Sequence, residues 1–457
     1  MIKRAILFSS ILFLLGCAPQ TAVSPPTPIP SAPTSESDLP PTPTLAKVAA
    51  AGSESAPHEA TSLPATETAL PSPSPVPPLP TATDVATAVS DFDEATLTTQ
   101  LITLMTETLQ AEKEVDTPFA GYEGMVAFRL PVDSSLWLLH SVGFRAFDPH
   151  FVTLFLREDG AWQELGRESL EDRDLMWEDS VTTIVGNGRL WVELRSGIGA
   201  HGGCYNLLRV ENHLLTSDQT NCNSFPDGAN QIIDLNADGF PDLILDFTNS
   251  YVFCYACGVR FPEFGFKTWN GTFWEDVQFT TLVGDAEAVI LNNQAVALAQ
   301  AGLWKEAAEI IASANSLDPD LNWNRIMINR TAQAHIDHLS YDLFPLLQLI
   351  FYGDYEAALS QMRPYSAAEL FDIAENPMII GTAAEGWPDA LGDWMLESIN
   401  PALAVRPEWA TAYFLRGWAA YQIWDTDPAA LADIEQAARL APDEPLFVES
   451  AAFLRGE

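Results

Sequence analysis

The hydrophobic pattern of the chain changes its period once, close to residue 285, and this change limits the folds that the chain can adopt. From about residue 121 to 281, short apolar runs such as FVTLFLRE and RLWVELRS are separated by turn residues, as in antiparallel strands. After Asp285 the strand pattern stops, and Ala, Leu and Glu become frequent in longer segments that favour helices. The sequence therefore predicts a multidomain protein in which an all-β domain precedes an all-α domain.

The β segment is long enough for a sandwich-like domain or for a partial propeller of about four blades. Hairpin turns are expected at Asp159-Gly160, Asn187-Gly188 and Asn270-Gly271, because these residue pairs tolerate positive φ. Before the β segment, apolar residues recur at every fourth position and predict one amphipathic helix. Its apolar stripe consists of Leu97, Leu101, Met105 and Leu109.

One stretch of the β segment carries oxygen-bearing side chains at the spacing that a hard metal ion requires. In residues 232–247, IIDLNADGFPDLILDF, these side chains fall at positions 1, 3, 5 and 9 of a calcium loop, with a glycine at position 6. Position 12 is Leu245 instead of the glutamate of a helix-loop-helix site, and both flanks alternate like strands. We therefore expect a structural Ca²⁺ in a strand-loop-strand site; the alternative is an Asx-type turn without metal. The predicted ligands are Asp234, Asn236, Asp238, the backbone carbonyl of Phe240, and Asp242.

The nine residues DLNADGFPD resemble the calcium loops of FG-GAP and VCBS repeats, which belong to extracellular β proteins. The resemblance covers one loop only, whereas a propeller would be expected to repeat the loop in every blade. It implies a sandwich-like or partial-propeller domain that contains a single calcium loop.

The first residues have the order of a bacterial export signal. Lys3 and Arg4 precede an apolar run that is too short to cross a bilayer as a helix and that ends in LLGC. LLGC resembles a lipobox, which implies cleavage before Cys17 and a lipid anchor on its sulfur; the alternative is an ordinary secretory signal with a chance cysteine. We therefore expect a lipoprotein with a signal peptide over 1–16, held on the outer side of the cell membrane or at the cell surface.

Residues 17–90 are rich in Pro, Thr and Ser and contain no aromatic side chain. Such a segment cannot bury enough apolar surface to offset its conformational entropy, so it is predicted to be a disordered tether. The predicted order is then completed by a helix over 91–117, the β domain over 118–282 and the helical domain over 283–457.

Besides Cys17, the chain has an even number of cysteines, which in an oxidising compartment indicates two disulfides. Of the three pairings, Cys204 with Cys222 and Cys254 with Cys257 is preferred, because a turn at CYACG would bring the last two together. Zinc and redox roles are the alternatives, although only one C-x-x-C is present.

The helical segment contains a repeat of the length expected for a helical pair. Residues 288–321, AVILNNQAVALAQAGLWKEAAEIIASANSLDPDL, resemble a tetratricopeptide repeat, with small residues where two helices cross and a proline after the second helix. Further units around 353–358, before Pro407 and after Thr411 extend the array to three or four repeats between about 286 and 445. The matching positions of the first unit are Ala295, Gly302, Ala307, Ala314 and Pro319.

In that family, the concave surface of the array binds peptides or partner proteins. For the aromatic residues Phe414, Trp418 and Tyr421, packing between adjacent repeats is the alternative to partner binding. His335 and His338 lie one helical turn apart, but no third metal ligand is evident, and a solvated helix face is the preferred interpretation. The positions expected to face a partner are Asn292, Val296, Ala299, Gln300, Phe414, Trp418 and Tyr421.

The net charge of −40 argues against nucleic acid as a partner, because phosphates are bound by clustered Lys and Arg. The sequence shows no nucleophile elbow, H-E-x-x-H, Walker loop or dinucleotide fingerprint. We therefore expect a non-enzymatic lipoprotein whose helical repeats bind a protein or peptide and whose β domain is stabilised by calcium. The alternatives are a calcium-dependent glycan-binding module built on the tryptophan-rich β domain, and a hydrolase whose site the sequence does not reveal.

Overall fold

The computed structural model describes the chain from residue 93 onward, with short gaps. Within the described part, an antiparallel β region is followed by a helical region, which confirms the predicted order of the two. The described residues from 93 to 457 belong to one compact unit. The predicted signal peptide, Cys17 and the tether lie outside the described residues. The described ranges are 93–112, 124–144, 149–171, 175–198, 201–223, 229–314, 321–339, 344–423 and 428–457.

The β region begins with helix α1 (Glu94–Glu112) and then contains two antiparallel sheets. The strands of the first sheet are β1 (Gly124–Arg129), β2 (Leu136–Phe144), β3 (His150–Glu158), β4 (Ala161–Leu170), β5 (Leu175–Met176), β6 (Val181–Gly186), β7 (Arg189–Ile198), β8 (Gly202–Glu211) and β9 (Leu214–Asn223). The strands of the second sheet are β10 (Gln231–Ile233), β11 (Asp242–Asp246), β12 (Phe264–Trp269) and β13 (Trp274–Asp276).

The nine-stranded first sheet has the order β4-β3-β2-β5-β7-β8-β9, with β1 paired to β2 and β6 paired to β7. Its two end strands, β4 and β9, approach each other, so the sheet is curled. The expected hairpins join β3 to β4 and β6 to β7, where Asp159 and Asn187 both have φ of 50°. These turns need residues that accept positive φ, which explains the Asp-Gly and Asn-Gly pairs.

Alternation of side chains along the strands gives the curled sheet a core on each face. On β7, Leu190, Val192 and Leu194 point to the inside of the curl, where they join Leu138 and Leu154. Trp191 lies between them in sequence and faces the other side, as the two-residue period of a strand requires. The sheet is therefore apolar on both faces and needs a cover on its outer face.

Two elements cover that outer face. Helix α1 packs its whole predicted stripe against side chains such as Trp137 and Phe155 of β2 and β3. The second sheet covers β7 and β8: Leu243 and Leu245 of β11 meet Trp191. The intervening residue of β11, Ile244, points the opposite way and packs against Met327 in the helical region.

The helical region contains ten helices among the described residues. Consecutive helices pack on one another from α2 to α6 and from α8 to α11. No helix of the described residues is long and apolar enough to cross a membrane. The helices are α2 (Glu287–Gln300), α3 (Trp304–Ser313), α4 (Asn322–Leu339), α5 (Pro345–Tyr352), α6 (Tyr355–Met362), α7 (Ala367–Leu370), α8 (Pro388–Val405), α9 (Ala410–Ile423), α10 (Pro428–Leu440) and α11 (Pro445–Arg455).

Two glycine turns bring successive helix pairs into close contact. Gly302, between α2 and α3, has φ of 74°, and Gly353, between α5 and α6, has φ of 81°. A Cβ atom on Gly353 would lie 2.7 Å from the Cα of Leu303, so no larger residue can be placed there without separating the turns. The two turns therefore fix the spacing of the helices that surround the cleft described next.

Candidate binding cleft and acidic loop

Residues 247–261, which make up most of the segment between β11 and β12, are named here the docked segment, because they belong to the β region in sequence and pack into the helices. Val252, Phe253 and Val259 are buried within the main apolar core of the helical region. Trp394 Nε1 on α8 donates a hydrogen bond of 3.1 Å to the carbonyl of Val252. Gln348 Nε2 on α5 donates one of 2.8 Å to the carbonyl of Arg260. The docked segment thus joins the two regions through a shared core and specific polar contacts.

The cysteines take the preferred pairing, at distances compatible with disulfides. Cys254 and Cys257 lie at a short 3₁₀ turn inside the docked segment, with Cα atoms 5.1 Å apart. Gly258 follows with φ of 78°, which makes the turn that the CYACG sequence suggested. Cys204 and Cys222 face each other across β8 and β9, with Cα atoms 4.1 Å apart.

A cleft of about 290 Å³ opens where the docked segment meets the helices. This volume is at the lower end of the range of small-molecule pockets, which extends from about 300 to 1,000 Å³, so the cleft has room for one long side chain or a small ligand. Its polar lining comes from Gln300, Glu397 and Ser398. The apolar lining is dominated by the rings of Phe261, Trp304, Phe351 and Trp394, with Ala299, Ala301, Gly302, Ile350 and Pro401 between them.

Among the rings of Phe261, Phe351 and Trp394, two pairs meet at steep angles, and the third pair, Phe261 and Trp394, lies 5.4 Å apart at 37°. The Phe261 and Phe351 rings are 4.8 Å apart at 79°, and the Phe351 and Trp394 rings are 5.6 Å apart at 74°. Trp394 is held in this position by its hydrogen bond to the docked segment. Phe351 is buried behind the other rings, so the aromatic surface open to a ligand comes from the half-buried rings of Phe261, Trp304 and Trp394.

Among the described residues that line the cleft, Glu397 is the charged one, and the basic side chains beside the cleft are paired with other acids. Lys305, next to Trp304, is paired with Asp354 at 2.7 Å, and this ion pair raises the pKa of the lysine. Arg406, at the end of α8, is paired with Glu306 of α3. Glu397 lines the cleft, is exposed, and has no ion-pair partner among the described residues. The cleft therefore has negative character.

His335 on α4 lies behind the cleft and is fully buried, so the preference for a solvated helix face is wrong for this residue. Its ring is stacked on Trp304 at 6.0 Å and also meets Phe261 and Tyr352. Neither ring nitrogen has a hydrogen-bond partner in the described part of the chain. Burial lowers the pKa of His335 to about 3, so the ring is neutral near pH 7. The rings that bury His335 belong to the docked segment and to other helices, so the sequence around His335 does not reveal its burial.

The loop over residues 234–242, named here the acidic loop, connects β10 to β11 and is stabilised by its own side chains. Asp234 accepts hydrogen bonds from the backbone N–H groups of Asp238 and Gly239, at 3.2 and 3.0 Å. Asn236 Oδ1 accepts from the N–H of Asp238 at 3.0 Å, and Asp238 Oδ1 accepts from the N–H of Phe240 at 2.7 Å. These are the contacts of nested Asx turns, and Gly239 supplies the positive φ of 86°.

Asp242, the last predicted calcium ligand, is fully buried, unlike the other predicted ligands. Its Oδ2 accepts the N–H of Leu235 at 2.8 Å, whereas its Oδ1 is buried without a hydrogen-bond partner among the described residues. Burial raises the pKa of Asp242 to about 6. The oxygen donors and this orphaned carboxylate oxygen suit a hard cation. In the described chain, however, no three carboxylate, histidine or cysteine side chains already converge as a metal site.

Most of the side chains expected to face a partner are packed between helices. Asn292, Val296, Phe414 and Trp418 are buried, and Ala299 is buried at the wall of the cleft. Trp418 Nε1 donates to the carbonyl of Leu370 at 2.9 Å, and the Phe414 ring stacks on Phe447. Tyr421 is partly buried against Phe371. Gln300 is exposed and lines the cleft, so it is the predicted position that a ligand can reach.

Sequence reasoning missed Phe261, Trp304, Phe351, Trp394 and Glu397. These residues come from the docked segment, α3, α5 and α8, and nothing in their local spacing shows that they meet. The aromatic residue after the α2–α3 turn, Trp304, was within the recognised repeat, but the rings opposite it were not. Their proximity depends on how the helices stack.

The β region also contains a buried serine and histidine pair. Ser141 Oγ and His150 Nδ1 are 2.7 Å apart, but neither residue has any exposed surface. Ser141 Oγ also accepts the backbone N–H of Phe151. A substrate cannot reach this pair, so it serves the packing of β2 on β3 and does not support a hydrolase.

Comparison of the whole sequence with protein-family models and with curated proteins finds no match.

Proposed function

We propose that this chain is a non-enzymatic, lipid-anchored extracytoplasmic protein whose tetratricopeptide-type helices bind a protein or peptide partner in the cleft beside the docked segment. The observation that carries the proposal is the cleft itself. It is open to solvent, lined by four aromatic rings, and contains Gln300, a position expected from the repeat pattern to contact a partner. Aromatic side chains in concave sites are the usual anchors of peptide and protein recognition.

The lipid anchor in the proposal rests on the LLGC sequence and on the tether that follows it. Attachment through Cys17 would hold the folded unit outside the membrane, beyond the Pro-, Thr- and Ser-rich residues 17–90. Replacement of Cys17 by Ser is expected to release the protein from the membrane fraction. Retention of a Cys17→Ser variant in that fraction would count against the anchor.

The calcium loop in the proposal has a structural role. Asp234, Asn236, Asp238, the carbonyl of Phe240, and Asp242 would hold Ca²⁺, which would supply the counter-charge for the buried Asp242. The loop lies on the β10–β11 turn, whereas the cleft is lined by the docked segment and the helices. The acidic loop is therefore proposed to stabilise the β region, and the cleft to bind the partner.

The binding proposal can be tested by photocrosslinking in the cell that produces the protein. A photoreactive amino acid is placed at Gln300 in the full chain, and the same amino acid is placed at Gln294 as a matched control. Both residues are exposed glutamines of α2, but only Gln300 lines the cleft. We expect a crosslinked protein or peptide from position 300 and none from position 294. Equal crosslinking at both positions, or none at 300, contradicts the proposal.

A second candidate function, calcium-dependent glycan binding, is favoured by one surface feature. The His201 and Tyr255 rings are stacked at 4.2 Å, and the Tyr251 ring, which is exposed, lies 5.6 Å from Tyr255. Of these rings, His201 and Tyr251 are exposed, and exposed rings can pack against sugars. Most of the tryptophans on which the hypothesis first relied do not have this property, because Trp137, Trp191, Trp269 and Trp274 are buried; Trp177 is the exposed one, at 43%. Glycan-array binding that is lost with EDTA and in a Tyr255→Ala variant would favour this candidate over the first.

A further inference from the structure

We infer that the partner of the cleft is a basic peptide that inserts an arginine side chain between the aromatic rings and Glu397. This inference rests on the proposed function and specifies the chemistry of its partner. It depends on three properties of the cleft: the arrangement of its rings, its unpaired carboxylate, and its size.

The rings provide a surface for a flat cation. Phe261, Trp304 and Trp394 are half-buried and line the cleft, and the rings of Phe261 and Trp394 lie 5.4 Å apart at 37°. A guanidinium group is planar and weakly hydrated, and it stacks on aromatic faces with little loss of solvation. Arg260 and Arg406 already use this contact elsewhere in the molecule, over Tyr255 and Trp409.

The polar lining supplies acceptors for the donors of that group. Glu397 offers a carboxylate without an ion-pair partner, which can accept two parallel N–H bonds from an arginine. Gln300 and Ser398 offer further oxygens at the same cleft. Among the described lining residues, none is Lys or Arg, and the adjacent Lys305 and Arg406 are neutralised by Asp354 and Glu306. An anionic side chain would find no counter-charge in this cleft.

Size and overall charge restrict the ligand further. A cleft of about 290 Å³ accepts one long side chain and excludes a folded element such as a helix. The chain as a whole has a formal charge of −40, so its field attracts basic peptides and repels acidic ones. The arginine is therefore expected to be one residue of a basic, extended segment whose other residues stay on the acidic surface.

The experiment is a selection of random peptides displayed on phage against the full chain, with a Glu397→Gln variant as the comparison. Asp393→Asn is the matched control, since Asp393 is an exposed acid of the same helix that does not line the cleft. We expect the selected peptides to contain arginine and to bind Glu397→Gln about tenfold more weakly than wild type. Binding to Asp393→Asn should be unchanged.

The decisive measurement replaces the arginine of a selected peptide by citrulline, which has nearly the same shape and no charge. Titration calorimetry should show about tenfold weaker binding of the citrulline peptide. Equal affinities, or selected peptides without arginine that still compete at the cleft, overturn the inference. Crosslinking at Gln300 tests the proposed function separately. If position 300 crosslinks a partner while the arginine tests fail, the proposed function stands and the arginine assignment falls. Selected peptides that all bind Glu397→Gln and wild type equally also overturn the inference.

Discussion

Two segments flank strand β11 in the sequence, and they are stabilised in opposite ways. The acidic loop before the strand is mostly exposed, and its carboxylates accept hydrogen bonds from its own backbone. The docked segment after the strand buries Val252, Phe253 and Val259 among helices that are distant in the chain. Its polar contacts join residues 88 and 142 positions apart.

This difference shows where local sequence patterns stop being informative. The side-chain hydrogen bonds that shape the turns of the acidic loop lie within nine residues, so the spacing of Asp, Asn and Gly already specifies these turns. One distant contact is added by Asn187, whose Nδ2 donates to the carbonyl of Gly239 at 2.8 Å. The contacts of the docked segment depend on the positions of α5 and α8, which no short pattern encodes. The candidate binding cleft is built on the second kind of segment.

The largest effect is expected when an aromatic side chain is removed from each segment. Phe253 is 7% exposed and packs against Phe344, so Phe253→Ala should lower the free energy of unfolding by about 3–5 kcal/mol. Phe240, in the acidic loop, is 43% exposed, and Phe240→Ala should change the free energy of unfolding by no more than about 0.5 kcal/mol. Denaturant unfolding of both variants measures the contrast. Similar losses in the two would show that the segments are not stabilised differently.

A smaller effect is expected from the histidine that supports the end of the docked segment. The pKa of His335 is lowered from 6.5 to about 3 by burial, so the folded protein binds fewer protons than the unfolded chain in this range. The stability contributed by the neutral ring is complete above pH 6.5 and is lost as the pH falls towards 3. At pH 5 this loss amounts to about 2 kcal/mol.

The test is His335→Leu, which removes the titrating group and two nitrogens without hydrogen-bond partners. Between pH 8 and pH 5, the variant should lose about 2 kcal/mol less stability than wild type. His213→Leu is the control, because His213 is an exposed residue of the β8–β9 turn. Unfolding curves whose dependence on pH is the same in wild type and in His335→Leu would show that His335 is not the group that titrates.

The smallest effect concerns calcium and the acidic loop. Extracellular loops of this type bind at about 10⁻⁴ to 10⁻³ M, so about 5 mM calcium should add 1–2 kcal/mol to the free energy of unfolding. Asp238→Ala should abolish the increment, whereas Glu158→Ala, an exposed acid on β3, should keep it. Thermal unfolding with calcium and with EDTA measures the difference. If the unfolding curves of wild type with calcium and with EDTA coincide, the calcium prediction is wrong and the loop is a set of Asx turns without metal.

The sequence predicted the order of the two regions because the period of the apolar residues changes from two to about four after Asp285. It also indicated the turns, since Asp159, Asn187 and Gly239 are residue types that accept positive φ. It did not indicate the curl of the first sheet. Alternation along a strand shows which face of the sheet each side chain lies on, but it does not show that β4 approaches β9. The cleft was missed for a similar reason: a helical stripe shows that Trp304 and Trp394 are semi-buried but not that they meet.

The placement of the docked segment also determines when each part of the protein can complete its fold. A chain is made from its N-terminus, so the strands are available before the helices. Val252, Phe253 and Val259 have no complete core until α5 and α8 have followed, and α8 ends about 150 residues later. The strands of the β region are thus made first, but the region completes its fold only after the helices are made. A chain that stops at residue 282 would expose the apolar side chains of the docked segment and would be prone to aggregate.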